Sequence, residues 1–144
     1  MANRCKIEFA FRDEVYGANY LVRVGGTEYQ AMKAYCDWQR CPINKPEDAD
    51  EDPAYAGAFL SVEGIKGGCF HFPEFENEAR FFGFLAHEAE HAKNKVFLCS
   101  GAQRTEHDEP EAYYVEFLVE SIINGLAGSL RRQPIKKSAT PYGP

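Results

Sequence analysis

The sequence has no apolar run approaching the roughly 18 residues that a helical membrane span needs, which argues against a membrane protein. Its opening stretch, "MANRCKIEFAFRDE", meets charge within a few residues, so no h-region of a signal peptide can be drawn there. Five cysteines (Cys5, Cys36, Cys41, Cys69, Cys99) form an odd set in a chain without an export signal. Reduced thiols and a cytoplasmic location are expected. There is no internal repeat. A surplus of positive charge is also missing: the net charge is −6, and the tail "RRQPIKKSATPYGP" holds Arg131, Arg132, Lys136 and Lys137. Removing those four charges leaves −10 on residues 1–130. An acidic body argues against nucleic acid as a ligand, because that affinity comes mainly from neutralising phosphates.

What is present suits one globular domain. The 144 residues can bury a core without staples, and 44% hydrophobic content argues against disorder. A single domain over 1–130 with a flexible basic tail over 131–144 is expected. Nothing in the composition indicates an oligomeric state.

The patterning divides the domain into strands followed by helices. "KIEFAFRD" (6–13) and "ANYLVRVGG" (18–26) alternate apolar and polar residues, predicting two antiparallel strands. "TEYQAMKAYCDWQR" (27–40) has helical spacing. "CPINKPEDADEDPAYAG" (41–57) has three prolines and five acids, and reads as a solvated spacer. "AFLSVEG" and "GCFHFP" predict two more strands around a turn. A long helix is expected from about Phe75 to a stop at Gly101. A second begins near Asp108, with Pro110 in its first turn and Ala112, Val115, Leu118, Val119, Ile122 and Leu126 as its buried face. The expected fold is α+β: a small twisted, mainly antiparallel sheet packed on two helices.

The first of these helices carries "LAHEAEHAKN", in which His87-Glu88-Ala89-Glu90-His91 fits H-E-x-x-H. Positions i and i+4 share a helix face, so His87 and His91 can offer two imidazole nitrogens to one zinc ion. Glu88 is rotated about 100° from His87, beside the metal position. There it can take a proton from the water the metal activates. The plain alternative is a pair of surface histidines on a charged helix.

A catalytic zinc site needs a third protein ligand. The second helix opens with "HDEPEAYY", offering His107, Asp108, Glu109 and Glu111. Glu109, Tyr113, Glu116 and Glu120 form a polar stripe along it, and Glu109 is the chosen ligand. Glu111 is the reserve, since it points about 200° away and requires a rotated helix.

"HEAEH" followed by "DEPEAYYVEFLVESI" resembles the zincin metallopeptidases of the Glu-zincin branch. The similarity is greatest to small phage- and prophage-type zincins, where E-x-x-A-[YN] follows on the next helix. That element here is Glu109-Pro110-Glu111-Ala112-Tyr113, so the resemblance also selects Glu109. It covers about residues 78–126 and implies a minimal zincin fold with a site that hydrolyses peptides or once did. "HAKNKVF" lacks the H-x-x-G-x-x-H continuation and excludes the metzincin branch. Glu90, a second acid within the motif, is expected to face away from the metal.

The resulting expectation is a zinc-dependent peptidase acting on a peptide or protein substrate. Zn2+ is held by His87, His91 and Glu109, and Glu88 is the general base. His107 and Tyr113 are candidate donors to the oxyanion. The substrate is expected to lie along an edge strand, either "AFLSVEG" or "GCFHF". The alternative is a non-enzymatic interaction protein of the same fold with a structural metal. Cys36, Cys41, Cys69 and His71 form a weaker candidate Cys₃His zinc set, and His71 alone is a candidate substrate contact. Phe70, Phe72, Phe75, Phe81, Phe82 and Phe84 are expected in the core.

Overall fold

Alternating side chains put the start of the chain into a hairpin. A computed structural model describes residues 4–45, 47, 57–73, 77–101 and 109–132. Strands β1 (Cys5–Arg12) and β2 (Asn19–Gly25) pair antiparallel, with Phe9 opposite Val22. Asp13 closes the turn by accepting from the amides of Val15 and Tyr16. Helix α1 (Glu28–Gln39) begins at a capping box between Thr27 and Gln30. Strands β3 (Ala58–Leu60) and β4 (Gly67–Phe72) follow, and then helices α2 (Glu78–Cys99) and α3 (Glu109–Arg132). Most of the acidic spacer and the chain beyond 132 lie outside the described residues. None of the described helices is long and apolar enough to cross a membrane.

The fold is α+β, with strand order β1-β2-β4-β3. The two outer pairings are antiparallel, but the central pair β2–β4 is parallel. Parallel neighbours cannot be joined by a tight turn and need a crossover, whose helix here is α1. Gly67 permits the close start of this pair: at φ +100°, a Cβ there would lie 2.1 Å from the Asn19 carbonyl oxygen.

Strand alternation sorts the side chains into two layers. Tyr20, Val22, Val24, Phe70 and Phe72 pack with Phe81, Leu85, Ala89 and Val96 of α2 and with Tyr114, Leu118 and Ile122 of α3. Leu21 and Cys69 point the other way, against Ala31 and Tyr35 of α1. The expected phenylalanine core holds for Phe70, Phe72 and Phe81, whereas Phe82 is exposed and Phe84 half-buried. Phe75 lies outside the described residues.

The inner face of α3 differs from the expected one near its start. Glu111 and Tyr114 are buried there, while Ala112 is exposed and Val115 half-buried. Polar tips explain the rotation. The Tyr114 hydroxyl donates to Asp13 Oδ2 at 2.9 Å and stands 2.6 Å from the Tyr20 hydroxyl, so both rings are buried with their oxygens satisfied.

Candidate metal centre

Asn77 caps α2 by accepting from the Arg80 amide. Phe81, Leu85, Ala89, Ala92 and Val96 turn one face of this helix into the core, leaving His87 and His91 exposed on another. Their Nε2 atoms are 3.1 Å apart. Two nitrogens each about 2.0–2.1 Å from one tetrahedral zinc stand about 3.3 Å apart, so this pair fits a shared ion with little movement. The same spacing lets one ring N–H donate to the other ring.

Glu88 completes the group. Its Oε1 lies 3.9 Å from His87 Nε2, and the three candidate ligand atoms lie within 4.8 Å of one another. Among the described residues this is the one cluster of three or more His, Cys, Asp or Glu side chains able to hold a metal. The Glu88 side chain is 11% exposed, and its Oε2 accepts from the Phe59 amide at 2.7 Å. A nearly buried carboxylate is thus oriented by the main chain of β3.

The other expected residues are placed differently. Glu109 is exposed at the first residue of α3 and does not join the group. Glu111, two residues on, is buried instead and faces Lys93 of α2, with Oε2 3.4 Å from Nζ. Lys93 Nζ also contacts Glu90 Oε1 at 2.6 Å, which turns Glu90 away from the histidines as expected. Tyr113 is 65% exposed, and Glu116 and Glu120 share its solvent-facing stripe. His107 lies outside the described residues.

Three sequence expectations are corrected. "GCFHF" is not an edge: β4 lies between β2 and β3, and all six of its residues are buried. "AFLSVEG" supplies the edge, as β3. His71 cannot line the cleft, because alternation along β4 sends it to the face opposite Phe70 and Phe72. It is fully buried, with Nε2 3.2 Å from the carbonyl oxygens of both Gly25 and Gly26, which makes this nitrogen the protonated one. Burial lowers its pKa. The Cys₃His set does not assemble, and all five cysteines are free thiols. Burial pushes the Cys69 thiol up to about 12.

The groove between α2 and β3 has two open hollows meeting at Glu88. One, of about 520 Å³, is lined by Gly57, Arg80, Gly83, Phe84, His87 and Glu88. The other, of about 440 Å³, is bounded by Phe59, Ser61, His91 and Lys95 among others. The Phe59 amide, Arg80 and Lys95 escaped the sequence reading. The two cations had a usable signal: Arg80 precedes His87 by seven residues and Lys95 follows Glu88 by seven, two turns on one face each time. Comparison with known proteins finds no matching family model, no matching curated protein and no matching solved structure.

Proposed function

We propose that this chain is a zinc-dependent metallopeptidase. The observation that carries the reading is the convergence of His87 and His91, Nε2 to Nε2 at 3.1 Å, with the Glu88 carboxylate beside them and an edge strand above. His87 and His91 would hold the ion, and Glu109 is the third ligand that the zincin resemblance implies. A zinc ion in such a site polarises a carbonyl and makes water a nucleophile near neutral pH. Glu88 takes a proton from the attacking water and returns it to the departing amine nitrogen. A peptide would lie extended along the half-buried edge strand β3, pairing with main-chain groups other than the Phe59 amide that Glu88 already takes. A cytoplasmic setting accords with five free thiols.

The test is Glu88→Gln, which keeps size and hydrogen bonding but removes the base. Zinc content and fold should persist while cleavage of a peptide library falls about 10²–10⁴-fold. Activity unchanged in the variant, or zinc lost with Glu88, overturns the assignment.

Two observations favour a second reading, an interaction protein with a structural metal. Glu88 already accepts from Phe59, and no α3 carboxylate joins the histidines among the described residues. Under that reading wild type and Glu88→Gln are equally inert toward peptides.

A further inference from the structure

The hollow on the Arg80 side of Glu88 has a composition unlike the rest of this acidic chain. Arg80 and His87 line it with Gly57 and Phe84, Gly83 leaves it wide, and its one carboxylate, Glu88, accepts from the Phe59 amide. A Cβ at Gly83 would meet nothing within 4 Å, so this wall is open to an incoming side chain. Among the described residues no acid pairs with Arg80. Its guanidinium lies over the Phe84 ring, 5.2 Å from the centroid.

That contact places the charge beside Phe84. Phe84 is three residues before His87, about 4.5 Å along the helix axis at 1.5 Å per residue. The midpoint of the histidine pair is five residues beyond Phe84, about 7.5 Å along the axis. An extended peptide advances about 3.3 Å per residue, so the guanidinium faces a side chain two to three residues from the bond at that pair. A guanidinium resting over an aromatic ring keeps its fork of donors free for a carboxylate.

We infer that Arg80 is a specificity-determining residue that selects peptides with an aspartate or glutamate two to three residues from the bond to be cut. This rests on the peptidase reading above. The −10 carried by residues 1–130 limits the preference to isolated acids, because a polyanionic segment would be repelled by the body as a whole.

Binding tests this without requiring turnover. The full zinc-loaded chain with Glu88→Gln is titrated with two pools of fluorophore-labelled hexapeptides, random except for one central position fixed as Glu or Gln. The Glu pool should bind about 5-fold more tightly, in the range of a partly exposed charge pair. Arg80→Gln in the same background should erase that preference, and Arg80→Glu should reverse it, with melting temperatures unchanged. Binding of neither pool, or a preference that survives Arg80→Gln, overturns the inference. Failure of the peptidase reading shows separately: wild type then cleaves no peptide while the Arg80-dependent preference remains.

Discussion

The Phe59 amide donates to Glu88 Oε2 at 2.7 Å, tying the edge of the sheet to the turn of α2 that carries the histidines. A second tie lies two turns on, where Lys95 Nζ donates to the Val62 carbonyl at 3.1 Å. Strand β3 is only three residues long, and these ties supplement its short ladder with β4. The same carboxylate that would serve as base therefore also holds the strand along which a peptide would lie.

This dual role separates two substitutions at one position. Glu88→Gln can still accept from Phe59 and should change stability by less than about 1 kcal/mol. Glu88→Ala removes the acceptor from a half-buried amide and should cost about 1–3 kcal/mol in urea unfolding. Hydrogen exchange at Phe59 should quicken in the alanine variant alone. Equal exchange in both variants would contradict the strand-holding role.

Lys93 and Glu111 join α2 to α3 inside the protein, with side chains 4% and 11% exposed. Lys93→Met removes the ammonium facing Glu111 and should destabilise by about 3 kcal/mol, as expected for a broken buried pair. Lys93→Met with Glu111→Leu should recover most of that loss, because two apolar groups carry no charge to desolvate. Chemical denaturation of wild type and these two variants checks this. Zinc content should not change in any of them if Glu111 stands apart from the metal.

The legible features were those set by local periodicity. Alternation located β1 and β2, and the four-residue step from His87 to His91 was enough to bring their Nε2 atoms to 3.1 Å. Other features depend on tertiary choices that periodicity does not encode. The parallel pairing of Val22 with Phe70 requires knowing where α1 returns the chain. The rotation of α3 was missed because Tyr114 and Glu111 count as polar in a pattern, yet their tips find Asp13 and Lys93 inside the protein. The Phe59–Glu88 bond uses a main-chain amide, which every residue but proline has, so it leaves no mark in the sequence.

His71 gives the fold an acid-sensitive point on the face away from the histidine pair. Burial lowers its folded pKa below the ordinary value of about 6.5, so the unfolded chain binds its proton more readily. The stability this neutral histidine contributes is present above about pH 6.5 and is lost as pH falls toward the folded pKa. Urea unfolding followed from pH 7.5 to pH 5 should show this decline. His71→Gln, which can still donate to the Gly25 and Gly26 carbonyls, should flatten it. An unchanged slope in the variant would assign the acid sensitivity to other groups.

Metal removal tests where the third ligand lies. An ion held by His87 and His91 alone bridges one turn of α2 and adds little to the stability of the fold. With Glu109 as well, it joins two helices, and its binding free energy becomes folding free energy. Purified protein should carry about one zinc per chain, and verified chelation should lower the melting temperature by several degrees. His87→Ala should lose the ion, since one imidazole on an exposed helix face is a weak ligand. Glu109→Ala should reduce zinc content and remove the effect of chelation on melting, whereas Glu111→Gln should leave both as in wild type. Equal zinc in wild type, His87→Ala and Glu109→Ala would defeat the site altogether. Zinc lost with His87 but kept with Glu109→Ala would leave the histidine pair in place and move the third ligand off the residue that the zincin resemblance selects.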